Sequence, residues 1–310
     1  MVIALVTAVV LLYTLQSFFT KLYTNGYSYD KELATPVFTV VSGLIIAAVT
    51  FFVFGRCDFD FNPWCILLGC ANALALYGYN YYIVKCVRTG PYSILIMFSK
   101  AGSILMPIGM SLIAGWDRWD NAFDILINSV CIAVIIIAVY FTSVKPKTDD
   151  ESPNNGKITL GFILSSIGLA ICNGAYAILV NSQQKIEAAG GESNSDEMII
   201  VTYIAASILS FLVIVSKKKG VVKAFAMKKS TAIYAISVGL VTGLAINFLA
   251  MTLPLISPTI FYTLYNSLTL VFSVLLGYFV FKEKLTKVNI MGVAMMCIAL
   301  ALMNILPGLI

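Results

Sequence analysis

The chain has 310 residues, of which 60% are hydrophobic and 11% charged, with a mean hydropathy of +0.93 and a formal net charge of +5. So few charges cannot clothe a soluble surface, and the two soluble domains that this length would ordinarily suggest are set aside. The positive balance is no nucleic-acid footprint, because the lysines fall in loops beside apolar runs. No histidine occurs, which removes histidine catalysis, metal ligation and pH switching together.

Ten apolar runs follow one another, each long enough to cross a ~30 Å hydrocarbon core as a helix. The predicted spans cover 2–20, 33–54, 63–84, 91–114, 122–142, 158–180, 198–215, 231–253, 258–281 and 286–305. The first has no basic start and no small-residue cleavage site, so it reads as a span and not a signal peptide. The runs are too long for barrel strands and do not alternate. Seven scattered cysteines form no CxxC pair and read as small apolar packing residues. The fold class expected is an all-α membrane protein.

The most polar linker, 146–157, carries Lys147, Asp149, Asp150 and Glu151. It separates a first group of five spans over 1–145 from a second over 158–310. Five is odd, so the second group enters the membrane opposite to the first. That is an inverted repeat, whose binding site lies where the halves meet. A duplicated pair supports it: Asn80 precedes Pro91 by eleven residues, and Asn247 precedes Pro258 by eleven. Pro91 and Pro258 are the expected helix-turn positions. Sixteen of the twenty lysines and arginines, Lys145, Lys217 and Lys282 among them, fall at loops after odd-numbered spans. Only Arg56, Arg118 and Lys185 follow even-numbered ones. The positive-inside rule then puts both termini outside a plasma membrane.

Lys100 is the one basic residue well inside a span. Nine residues past Pro91 it stands about 13.5 Å along a helix, near mid-membrane. Facing lipid, such a lysine costs ~2.5–3.5 kcal/mol on insertion scales. It either snorkels and settles against a carbonyl, or faces an anionic group of a substrate. The Asn/Pro alignment puts Ser267 at the corresponding position of the second half. Tyr262, Tyr265 and Asn266, at i, i+3 and i+4, share one helix face, which lines a cavity or a helix contact. Asn80 and Asn247 could hold a substrate or tie neighbouring helices. Gln16 and Asn173 are polar and sit at similar points of the two halves. Gly239 and Gly243 read as close helix contact. Every Asp and Glu lies at a span end or in a loop, which disfavours a proton-coupled exporter of cationic drugs. A membrane-embedded enzyme is disfavoured too, with neither histidine nor an acidic pair at catalytic spacing.

The ordered set of these features resembles the drug/metabolite transporter superfamily, and within it the EamA-like carriers. The most specific stretch is Gly277-Tyr278-Phe279-Val280-Phe281-Lys282-Glu283-Lys284-Leu285-Thr286, followed by Asn289-Ile290-Met291-Gly292-Val293. It is similar to that family's Glu, basic residue, Leu-Thr and helix-opening Gly. The first-half counterpart, Gly115-Trp116-Asp117-Arg118-Trp119, departs from it in having no Glu. The resemblance implies a ten-helix carrier with a central cavity and alternating access, which moves a small polar metabolite. Sugar-phosphate carriers of that superfamily use basic residues on the fourth and ninth spans. Lys100 matches the fourth, but the ninth has Asn266-Ser267. The expectation is therefore export of an amino acid or related carboxylate, with Lys100 as counter-charge. Asn80, Asn247, Tyr262, Tyr265, Asn266, Ser267, Gln16 and Asn173 complete the expected substrate-binding set. No cofactor, metal or nucleic acid is expected, and ten helices suffice for a monomer in the bilayer. Three alternatives stay open: a flippase for a lipid-linked sugar or phospholipid, a sugar-phosphate or nucleotide-sugar exchanger, and a structural membrane subunit.

Overall fold

The structure, a computed structural model, describes residues 2–30, 32–55, 57–60, 62–89, 92–115, 122–143, 159–188, 194–217, 220–280 and 286–305. The described residues form helices and connecting turns with no strand. In chain order the helices are α1 (Val2–Gly26), α2 (Ala34–Val49), α3 (Pro63–Thr89), α4 (Tyr92–Ile113), α5 (Ala122–Ser143) and α6 (Leu160–Ala188). They continue with α7 (Ser195–Ser216), α8 (Val221–Phe225), α9 (Lys229–Thr252), α10 (Pro258–Phe279) and α11 (Lys287–Ile305). Among the described residues, five segments are long and apolar enough to cross a membrane: Val2–Gly26, Ala34–Phe54, Leu160–Glu187, Ser195–Ser216 and Lys229–Leu255. The chain is thus an all-α protein of membrane type. The linker 146–157 and the stretch 281–285 lie outside the described residues.

Helices α1, α3 and α6 outrun their predicted spans by six, five and eight residues, and in α1 and α6 the cause is packing. Apolar character fades after residue 20, yet α1 continues to Gly26 because Tyr23 is buried and its hydroxyl donates to the Ala34 carbonyl at 2.9 Å. Apolar character likewise ends at 180, but α6 continues to Ala188. Its Gln183 and Gln184 are buried, and Gln183 Nε2 reaches Cys65 Sγ at 3.8 Å. A polar side chain with a protein partner can stay inside a bundle where hydropathy alone would end the span.

The chain falls into two compact units, 1–80 with 179–255 and 81–178 with 256–310. Each unit draws helices from both halves of the sequence, and α3 and α6 contribute to both units.

In the first unit α2 packs against both α7 and α9, and α1 lies along α9. Small residues allow the approach. A Cβ on Gly239 would stand 2.7 Å from Ile45 Cβ, and one on Gly243 would stand 3.0 Å from Val49 Cβ. On the other side, a Cβ on Gly43 would meet the Ser207 hydroxyl, with the Tyr203 carbonyl at 3.2 Å. Close approach of this kind supplies the van der Waals contact that binds helices where hydrophobic sorting cannot. Past Val49 the α2 backbone widens into a π-helical turn, Thr50–Phe54, closed by Gly55 N–H on the Thr50 carbonyl at 2.7 Å. Asn194 caps α7, its Oδ1 accepting from the amides of Asp196 and Glu197. Those two acids in the first turn suit the helix dipole.

In the second unit α5 packs along α11, and α4 packs against α5 and α10. Ile104, Ile108, Ile132, Ile135, Val139 and Met296 form its core. Ser257 caps α10 ahead of Pro258, accepting from the Ile260 amide at 3.4 Å. Proline at a first helical position loses no bond, since that amide has no intrahelical partner. Thr286 and Asn289 bond reciprocally at the start of α11, and Asn289 Nδ2 donates to the Phe141 carbonyl of α5 at 3.0 Å.

Candidate functional site

Lys100 is the ninth residue of α4, and Asn266 the ninth of α10. Within the second unit the two helices lie side by side, and Lys100 Nζ donates to Asn266 Oδ1 at 3.2 Å. Ser103, one turn beyond Lys100 on the same face, is buried and shares its single hydroxyl proton between that same Oδ1 at 3.3 Å and the Lys100 carbonyl at 3.0 Å. The amide of Asn266 is oriented in turn by Nδ2 on the Tyr262 carbonyl at 2.9 Å. Its oxygen is thereby aimed at the ammonium. Tyr262, itself buried, donates its hydroxyl to the Ala177 carbonyl of α6 at 2.9 Å. Asn173, a turn earlier on α6, donates to the Ser99 carbonyl and hydroxyl at 2.9 and 3.2 Å.

This constellation ties α4, α6 and α10 together around one cation. Lys100 is only part-buried, and its one bonded partner among the described residues is the neutral Asn266. No carboxylate there reaches it within ion-pair distance. An ammonium has three donors, so two are left for a further acceptor. Ser267 and Thr263, one turn apart on α10, have hydroxyls that are buried and without a partner among the described residues. Pro107 lies within α4, four residues after Ser103. It offers no N–H to the Ser103 carbonyl, which loosens the helix one turn past Lys100.

The expected site residues therefore divide between the units. Lys100, Asn173, Tyr262, Tyr265, Asn266 and Ser267 belong to the second. Tyr265 is half-buried and stacks on Phe261 with ring centroids 5.9 Å apart. Asn80, Asn247 and Gln16 belong to the first. There Asn247 is buried and donates to Thr50 Oγ1 at 2.9 Å and the Gly243 carbonyl at 2.7 Å, tying α9 to the π-turn. Asn80 donates to Thr39 Oγ1 at 3.3 Å, tying α3 to α2. Gln16 is half-buried on α1. Pro258 opens α10 as expected, while Pro91 lies outside the described residues. Sequence reasoning missed Ser99, Ser103 and Thr263. The first two stand at i−1 and i+3 of Lys100, a spacing that could have flagged Ser103, but a lone serine in an apolar run carries no signal of its own.

No family model matches the chain, and no curated protein does. Among solved structures 28 chains match. One, described only as "Crystal structure of protein", aligns over 98% of this chain and 97% of its own with a TM-score of 0.70 at 13% identity. At that identity the likeness concerns the fold alone.

Proposed function

We propose that this protein is a secondary carrier of the EamA-like, drug/metabolite transporter kind. It moves a small polar metabolite bearing a carboxylate across the plasma membrane by alternating access, in the export direction. The ten spans of this reading are α1 to α7 and α9 to α11, in two inverted groups of five, with both termini outside. Lengths support it: α3, α4, α5, α10 and α11 have 27, 22, 22, 22 and 19 residues, enough for a ~30 Å core. The lysine-rich connections after odd-numbered spans support the orientation.

One observation carries the substrate class. Lys100 is a cation in the apolar middle of α4 whose one bonded partner among the described residues is a neutral amide oxygen. An intramembrane charge without a counter-charge is an unstable arrangement that an anionic ligand relieves. Asn266 holds the ammonium, Tyr262 and Asn173 fix the helices that carry it, and the Ser267 and Thr263 hydroxyls supply neutral hydrogen bonds. One cation suits a monoanion such as an amino-acid carboxylate better than a doubly charged phosphate.

The test is a thermal-unfolding screen of purified protein against amino acids, sugars, sugar phosphates and nucleotides. A ligand held only by the folded state stabilises it by about 2.7 kcal/mol at a hundred times its Kd. The carboxylate ligands should raise the unfolding temperature of the wild type, and Lys100→Gln should abolish the rise. A Lys100→Gln protein that binds and transports as the wild type does would show the central-cation reading to be wrong.

A further inference from the structure

The connection between α7 and α9 carries a lysine cluster that serves the carrier reading only as a signal of orientation. Its residues 217–229 contain Lys217, Lys218, Lys219, Lys223, Lys228 and Lys229, and no acid. Lys218 and Lys219 lie outside the described residues. The helices it joins are both long and apolar enough to cross a membrane. So short a link between two such helices is confined to the membrane surface.

The short helix α8 is fixed there and not left loose. Gly220, at φ +87°, turns the chain into it through a backbone conformation that side-chain-bearing residues rarely adopt. Ala224 is fully buried, and its carbonyl accepts from the Tyr27 hydroxyl at 3.0 Å. Val221 and Phe225, on the same helical face, pack on the core formed by Tyr23, Leu33, Val37 and Ala235. The opposite face is thereby turned outward. On it Val222 is 83% exposed, and Ala226 and Lys223 are exposed with it. Lys228 and Lys229, at the start of α9, are exposed too. Among the described residues Glu32 offsets the cluster, pairing with Lys217 at 3.4 Å. Nearby Asp30 accepts the Glu32 amide at 2.8 Å. Lys223, Lys228 and Lys229 have no ion-pair partner among the described residues.

We infer that α8 and its flanking lysines form a docking site for the head groups of anionic phospholipids in the leaflet where α7 ends. Lys223, Lys228 and Lys229 meet the phosphates, and Val222 dips between the acyl chains beside them. Charge complementarity and confinement to the surface favour this occupant. Lysine clusters next to a span are attracted to anionic lipid, and an outward apolar residue among them gains by leaving water. The inference rests on α7 and α9 crossing the membrane and not on what the protein carries.

The test uses the full chain in neutral detergent at 0.15 M salt, titrated with phosphatidylglycerol or phosphatidylcholine of the same acyl chains. Native mass spectrometry counts bound lipid. The wild type should hold phosphatidylglycerol about a hundredfold more tightly. Replacing Lys223, Lys228 and Lys229 by Gln should lower that affinity by about fivefold per lysine and leave phosphatidylcholine binding unchanged. The triple Arg variant should keep the preference, which separates lost charge from lost folding. Val222→Asp should weaken it. Equal affinity for the two lipids in the wild type would overturn the inference, as would an undiminished preference in the triple Gln variant or in Val222→Asp. Raising salt to 0.5 M should reduce the preference, because charge attraction at an exposed surface is screened within a few ångströms there; a salt-independent preference would overturn the charge-based site.

Discussion

Gly102→Ala is the sharpest probe of how the second unit is assembled. Gly102 lies two residues past Lys100, where α4 crosses α6. A Cβ built there would run into the Ala170 carbonyl oxygen, with the Ala170 carbonyl carbon and Cα at 2.7 Å. These are backbone atoms, so no rotamer change can make room. Non-bonded carbons settle at ≈3.5–4.0 Å, and the helices must therefore part by about 1 Å. The separation stretches the Asn173–Ser99 bond, now 2.9 Å, to about 3.9 Å, beyond hydrogen-bond range. Overpacking costs about 1–3 kcal/mol and the lost bond about 0.5–1.5 kcal/mol, which puts the variant about 2–4 kcal/mol below the wild type. Gly109 on the same helix is the matched control, because a Cβ there meets nothing within 4 Å. Gly109→Ala should be neutral or stabilising by up to ~1 kcal/mol, from helix propensity alone. Equilibrium unfolding of both variants in mixed micelles, driven by added dodecyl sulfate, measures the difference. If the two unfold at the same sulfate fraction, the argument that small residues set the α4–α6 distance is refuted.

Further outcomes are expected elsewhere. Asn247→Leu removes the donor to Thr50, whose hydroxyl is fully buried beside the π-turn, and should cost about 1–3 kcal/mol in the same unfolding measurement. Hydrogen exchange at the Gly55 amide, which closes that turn, should quicken with it; unchanged exchange would mean that Asn247 does not hold the turn. Tyr262→Phe removes the hydroxyl bond to the Ala177 carbonyl, which keeps its own helix bond within α6, and should cost about 1 kcal/mol in that unfolding measurement. Tyr27 lies just past α1, where burial, with help from Asp30 and Tyr29, pushes its hydroxyl up to about 12 from 10. The proton is held more tightly in the folded state, so the stability this adds is complete below pH 10 and is lost as pH rises from 10 through 12. Tyr27→Phe should flatten that alkaline decline relative to the wild type, and parallel curves would contradict the burial account.

Much of this protein could be read before any coordinates. Long apolar runs forced helices, because in lipid every backbone group must bond within its own segment, and the helix starts at 63, 122 and 258 follow from proline and local apolar pattern. Lys100 stood out because a charge in such a run is costly wherever it is placed. The ends of α1 and α6 were not legible, since Tyr23, Gln183 and Gln184 look like exit signals until their burial is known. Nor was α8, a five-residue helix whose stability comes from Tyr27 and the core beneath it and not from its own propensity. The choice between cation partners was likewise undecidable. Nothing in the spacing of Asn266 and Ser267 says which one Lys100 meets, and the structure gives that role to Asn266 through Ser103 and the Tyr262 carbonyl. Sequence alone determined what had to be buried or satisfied, because hydropathy and hydrogen-bonding capacity belong to each residue type. Only the tertiary structure decided which group satisfies which, because a partner is set by the approach of two helices, and that approach depends on small residues such as Gly102 and Gly243, whose neighbours across the contact, Ala170 and Val49, lie far along the chain.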